Sequence, residues 1–185
     1  MARLTAAFFE RDPVVCAREL IGACLEWGEC AGRIVETEAY SSSGDEASHL
    51  FLRPSARRFV DEHPAGTAYV YMNYGLHWLF NVLVKCPQGS GFVLLRALEP
   101  LRGIELMQRR RGKAGLCELC SGPGKLTQAL GIDGSLHGRQ FLEWPEAGID
   151  AGGDVAVDCG PRIGISRSQD LPWRFVLRRN AYLSR

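Results

Sequence analysis

Periodic and alternating runs of apolar residues divide the 185-residue chain into elements joined by polar connectors. Asp12 before Pro13 offers an N-cap with proline at the first helical position, and the apolar spacing of Val14, Ala17, Ile21 and Leu25 predicts that the opening helix continues. Residues 33–40 carry a β-branched centre and predict a strand that runs out into the polar loop 41–44. Glu38 and Tyr40 then share one face near the end of that strand, because side chains alternate with a period of two. Residues 69–84 are apolar and aromatic on both sides of Asn73-Tyr74-Gly75, which predicts a hairpin with a large aromatic at its tip. Turns ordinarily take small or polar residues, so Tyr74 either tucks back onto the hairpin or contacts something outside the protein.

Further along, residues 92–98 predict a strand ending near Pro100, and residues 104–111 a short basic helix. Ser121 and Pro123 open another helix that runs through Leu130; its amino end bears Lys125 and suits a phosphate. Residues 162–165 and 173–177 predict late strands, and the Gly-rich stretch 148–153 a surface loop. With no repeat, low-complexity tract or long linker, one domain spanning residues 1–185 is expected.

Composition adds constraints. A hydrophobic content of 46% is enough to build a core without metal or disulfide staples. The 22 basic and 21 acidic residues nearly cancel, so any cationic face must come from segregation. Arg53, Arg57 and Arg58 form one basic group and Arg109, Arg110, Arg111 and Lys113 another, while residues 143–158 carry acids and no Lys or Arg. A solvated face explains either basic group on its own better than a nucleic-acid contact does. The 7 cysteines are odd in number and irregularly spaced, and the chain opens without an export signal, so reduced thiols in the cytoplasm or nucleus are expected. Cys117 and Cys120 make a lone CxxC with no second pair, so no metal and no cofactor are expected. No apolar run approaches the roughly 20 residues of a membrane span, so no membrane association is expected.

Glu38, Tyr40, His49, Tyr71, Tyr74 and Arg96 together supply a carboxylate, aromatic plates and a cation, a plausible pocket for a flat, electron-poor ring. The ordered stretches Glu36-Thr37-Glu38-Ala39-Tyr40, Asp45-Glu46 followed by His49, Tyr69-Val70-Tyr71-Met72-Asn73-Tyr74-Gly75 with Asn81 beyond, Val93-Leu94-Leu95-Arg96-Ala97-Leu98-Glu99-Pro100 and Cys120-Ser121-Gly122-Pro123-Gly124-Lys125-Leu126 closely resemble the alkyladenine (3-methyladenine) DNA glycosylase family. Arg162-Ile163-Gly164-Ile165 and Trp173-Arg174-Phe175 resemble its final strands.

The resemblance implies a mixed α/β (α+β) domain around a curved, mainly antiparallel sheet, with the tyrosine hairpin projecting from its DNA face. It implies a monofunctional glycosylase of base excision repair that flips alkylated or deaminated purines from double-stranded DNA and leaves an abasic site. Glu38 falls on the general base that activates water, and Arg96 on the arginine that helps hold it. Tyr40, His49 and Tyr71 fall on the walls of the base pocket, and Asn81 on the residue that disfavours the 2-amino group of guanine. Tyr74 falls on the tyrosine that fills the vacated space in the duplex. His77, Lys125 and Arg57 are expected at the DNA, and the protein is expected to act as a monomer with no obligate protein partner. The chain departs from the family between His49 and Gly66. Ser55, Ala56, Arg57 and Arg58 stand where a Thr-Pro-Arg-Asn element is usual, and Asp61 and Glu62 replace two apolar residues. Two other readings follow from the same residues, a catalytically silent damaged-DNA binder and a small-molecule hydrolase.

Overall fold

The computed structural model describes residues 2–184. Among them, six α-helices and eight strands are interspersed along the chain, with three short 3-10 turns. The order is α1 (Pro13–Glu19), β1 (Cys24–Trp27), β2 (Cys30–Ser41), α2 (His49–Leu52), α3 (Pro54–Glu62), β3 (Ala68–Asn73), β4 (His77–Cys86), β5 (Gly89–Arg102), α4 (Ile104–Arg111), α5 (Leu116–Leu119), α6 (Pro123–Leu130), β6 (Ala147–Asp150), β7 (Val157–Gly160) and β8 (Arg174–Leu177). This is a mixed α/β fold. Its open sheet runs β3-β4-β5-β2-β1-β6 with every pairing antiparallel, and β8 joins β2 and carries β7 on its far side.

Strand β2 is the spine of the sheet. One edge pairs with β5 along its length, whereas the other is divided between β1 at Cys30–Arg33 and β8 at Glu36–Glu38. On one side of the sheet, Phe9, Leu20, Ile34, Phe80, Leu95 and Phe141 belong to the main core. A smaller aromatic cluster gathers Phe59, Tyr69, Leu83 and Phe92, with Tyr40 and Tyr71 packed against it.

The predicted hairpin and the helices at Ile104–Arg111 and Pro123–Leu130 are present, and β2 spans the expected strand. Several boundaries differ. Asp12 caps α1 through Val14 N and Val15 N, but the helix ends at Glu19 and does not continue to Leu25. Gly22, at a positive φ of 90°, turns the chain so that its N–H donates to Ile34 O, and Ile21 and Leu25 reach the same core from a turn and from β1. Residues 148–150 are not loop: they belong to β6, which pairs with β1. Residues 162–165 are not a strand, because the guanidinium of Arg162 is turned inward onto Ala39 O and Asp45 and Gly164 has a φ of 78°. Strand β5 passes through Pro100 to Arg102; beyond Leu94 it no longer pairs with β4, so the missing N–H leaves no ladder bond unmade there. All seven cysteines are unpaired. No helix of the described residues is long and apolar enough to cross a membrane.

Candidate active site

Two adjacent irregularities in the β2–β5 ladder create the charged centre. Ile34 pairs with Leu98 and Glu36 with Ala97, so β2 holds one extra residue, Val35; the next pair, Thr37 with Leu95, leaves Arg96 as the extra residue of β5. Such bulges re-aim side chains. Ile34 lies in the main core, yet two positions beyond the bulge the parity has changed: Thr37 Oγ1 donates to Ala17 O of α1 and Ala39 joins the core. Glu36, Glu38 and Tyr40 therefore share the opposite face, where Arg96 meets both carboxylates.

Glu38 is fully buried. Its Oε1 accepts the Ile163 N–H at 2.7 Å, and its Oε2 accepts the Tyr40 hydroxyl at 2.8 Å and Arg96 Nη1 at 3.3 Å. All three partners line a cavity of about 400 Å³, so the carboxylate lies directly behind its lining. Burial opposes the charge on Arg96, but the carboxylates of Glu38 and Glu36 outweigh it and hold its pKa above the ordinary value. Burial would likewise raise Glu36; bonds from Arg174 and Ser184, with the charge of Arg96, hold it below the usual carboxylate range.

The cavity walls are aromatic. Tyr40 comes from β2, Tyr69 and Tyr71 from β3, Phe92 from β5 and His49 from the first turn of α2. His49 Nδ1 lies 3.0 Å from the Tyr69 hydroxyl, and its ring centroid is 4.5 Å from that of Tyr71. Burial, assisted by Arg53, lowers the His49 pKa to about 4, and burial pushes Tyr71 up to about 12. Burial and then the Glu38 charge raise Tyr40 further. Asn81, on β4, donates Nδ2 to Tyr69 O directly across the hairpin and also lines the cavity.

Tyr74 does not tuck back: it is 85% exposed at the hairpin tip, beside the cavity mouth. Leu76 N donates to Asn73 O, with Tyr74 and Gly75 both at positive φ (51° and 68°), as a type I′ turn requires. His77, exposed at the start of β4, packs on the first turn of α6, where a Cβ on Gly124 would come within 2.8 Å of the His77 Cβ. Thr127 Oγ1 adds a bond to Trp78 O, so α6 buttresses the hairpin. Lys125 is exposed on that helix, with its ammonium 3.4 Å from Ser121 Oγ. Arg57 holds the α2 terminus instead of standing free, donating to Leu50 O at 2.7 Å and Phe51 O at 3.2 Å. The divergent segment folds as α2 and α3: Phe59 and Val60 turn inward, and Asp61 and Glu62 are exposed. The two acids thus replace apolar residues at positions that do not face the core.

Several contributors had no role assigned from sequence. Arg162 and Asp45 form a fully buried ion pair at 2.7 Å, and the guanidinium lies 4.6 Å behind the Tyr40 ring. This pair fixes the loop whose next residue, Ile163, bonds Glu38. Glu36 could have been found by period two, since it precedes Glu38 by two positions. Ser184 could not: its N–H and Oγ reach Glu36 from 148 residues away.

Residues 7–181 match the family model described as Methylpurine-DNA glycosylase. The chain is 46% identical to a protein of Rhizobium etli, over 97% of this chain and 87% of that protein. It is 47% identical to one of Agrobacterium fabrum (97% and 91%) and 44% identical to one of the Methanoculleus marisnigri strain (98% and 98%). All three carry the name "Putative 3-methyladenine DNA glycosylase".

Proposed function

Because the chain belongs to the methylpurine-DNA glycosylase family, we propose that it flips a damaged purine out of duplex DNA and hydrolyses its N-glycosidic bond with water activated by Glu38. The observation that carries this reading is a buried carboxylate whose three hydrogen-bond partners, Tyr40, Arg96 and Ile163, all line one aromatic cavity. Oε1 has a single donor and keeps a lone pair for a proton from water. Tyr40 and Tyr71 stack on the extruded base, which returns roughly 1–3 kcal/mol against an extrusion cost of a few kcal/mol. Alkylated purines carry positive charge and leave readily, so one oriented water and one carboxylate carry most of the chemistry. Asn81 faces the base edge, and Tyr74 enters the space that the base vacates. Among the described residues that line the cavity there is no lysine, which supports hydrolysis to an abasic site over an imine with the sugar.

Single-turnover release of alkylated bases from methylated duplex DNA tests this, with abasic sites revealed by alkali. Glu38→Gln is expected to lower the rate by roughly 10²–10⁴-fold while DNA binding persists. A folded wild-type protein that binds methylated DNA and releases no base would overturn the hydrolytic reading and leave a damaged-DNA binder.

A further inference from the structure

Four donors converge on Glu36, a residue outside the cavity. They are Arg96 Nε at 2.9 Å, Arg174 Nε at 2.7 Å, Ser184 N at 2.6 Å and Ser184 Oγ at 2.7 Å. Taking Glu38 as the general base, we infer that Glu36 is a positioning residue for that step: anchored by Ser184, it fixes the Arg96 guanidinium and draws part of its charge away from Glu38.

The geometry requires something to hold Arg96. As the extra residue of a bulge it has no place in the regular ladder, and three groups fix its guanidinium: Glu36 at Nε, Glu38 at Nη1 and Ser184 Oγ at Nη2. The contact to Glu36 is the shorter of the two carboxylate contacts, 2.9 against 3.3 Å. Without it the guanidinium is free to turn fully onto Glu38.

Charge points the same way. Two carboxylates, Glu36 and Glu38, face two guanidinium groups, Arg96 and Arg174, and the cluster balances. The groups facing Glu38 are Glu36 and Tyr40 from its own strand, Arg96 from β5, Arg174 opposite it on β8, Tyr71 from β3, and Arg162 in the loop that carries Ile163. Arg162 is balanced by its own Asp45. Removing the Glu36 charge leaves Glu38 facing two uncompensated cations; its ionised form is then over-stabilised and it becomes a weaker base. Removing Arg174 does the reverse.

The test is the pH dependence of single-turnover base release from methylated duplex DNA, alongside affinity for a duplex containing an abasic-site analogue. For Glu36→Gln, the maximal rate should fall roughly tenfold to a hundredfold and the acid limb should move to lower pH by about one unit. For Arg174→Gln, whose side chain is partly exposed, the limb should move to higher pH. Affinity should be unchanged in both. Ser184→Ala should slow release severalfold, and Ser184→Thr should restore it. Limbs that stay put, or that move in the same direction in the two charge variants, overturn the inference, as does loss of rate that follows loss of DNA affinity. If Glu36→Gln fails to fold, Arg174→Gln and the Ser184 pair decide on the same criteria. A wild type that releases no base removes the general-base reading and this inference with it. Wild-type release with wild-type-like variants removes this inference alone.

Discussion

Burial acts in opposite senses on the acids and bases around the cavity, with one result. His49 is lowered to about 4 and Tyr71 raised to about 12, so both of these aromatic walls are uncharged near neutrality. The depressed histidine makes stability depend on pH. Between about pH 6.5 and about 4 the unfolded chain holds a proton on His49 that the folded chain refuses, so stability falls as pH falls through that window. His137 is lowered by burial too and contributes with the same sign. His49→Gln should therefore flatten, without abolishing, the loss of urea resistance on acidification from pH 6.5 to 4; an unchanged slope would show that the folded ring takes up protons freely. At this scale the sequence was partly legible. Period two brought Glu38 and Tyr40 to one face, and the family resemblance supplied their expected roles. The bonds from Arg57 to the carbonyls of the preceding helix were not legible, because nothing in its local sequence signals them.

Elements with a strong pattern were legible, and those formed by distant pairing were not. The hairpin declared itself through its aromatic strands. Strands β1, β6 and β7 are each four residues long and exist because β2, β1 and β8 offer them an edge. The hairpin tip invites a specific experiment. Tyr74 combines high exposure with a left-handed backbone, which costs a non-glycine residue about 1–2 kcal/mol, whereas glycine there would lose about 0.5–1 kcal/mol through unfolded-state freedom. The first term outweighs the second, so Tyr74→Gly should stabilise the free protein by up to about 1 kcal/mol in thermal or urea unfolding. The same variant should bind a lesion-containing duplex more than roughly tenfold more weakly. Equal affinity in the variant would remove Tyr74 from the DNA contact.

Across the whole molecule, many cations hold the fold together. Arg110 donates to Ala129 O and Arg111 to Gln128 at the end of α6, so two cations of the basic stretch after Ile104 serve helix packing. With a net charge of +1, phosphate attraction must come from a few placed side chains. Lys125, on the helix that supports the hairpin, is the candidate. Lys125→Ala should weaken binding to damaged and undamaged duplexes alike and make the slope of log K against log salt shallower by about 0.9, read from titrations at several salt concentrations. An unaltered slope would leave the ammonium to Ser121. Long-range contacts of this kind, like the Asp45–Arg162 pair that locks two loops behind Tyr40, carry no local signature in the chain.

The two extra residues at the centre of the β2–β5 ladder, Val35 and Arg96, sit side by side, one on each strand, and their effects on register cancel: the ladder is back in step by Thr37 and Leu95. A chain lacking both Val35 and Arg96 could therefore run an unbroken ladder from Ile34 and Leu98 onward. That simpler molecule would keep Glu38 and lose the cation beside it. A lone extra residue, Leu101, is accommodated only near the end of the ladder, where a single pair follows it; in the centre the two extra residues offset each other, and the paired deletion that would regularise the sheet is the one that dismantles the chemistry.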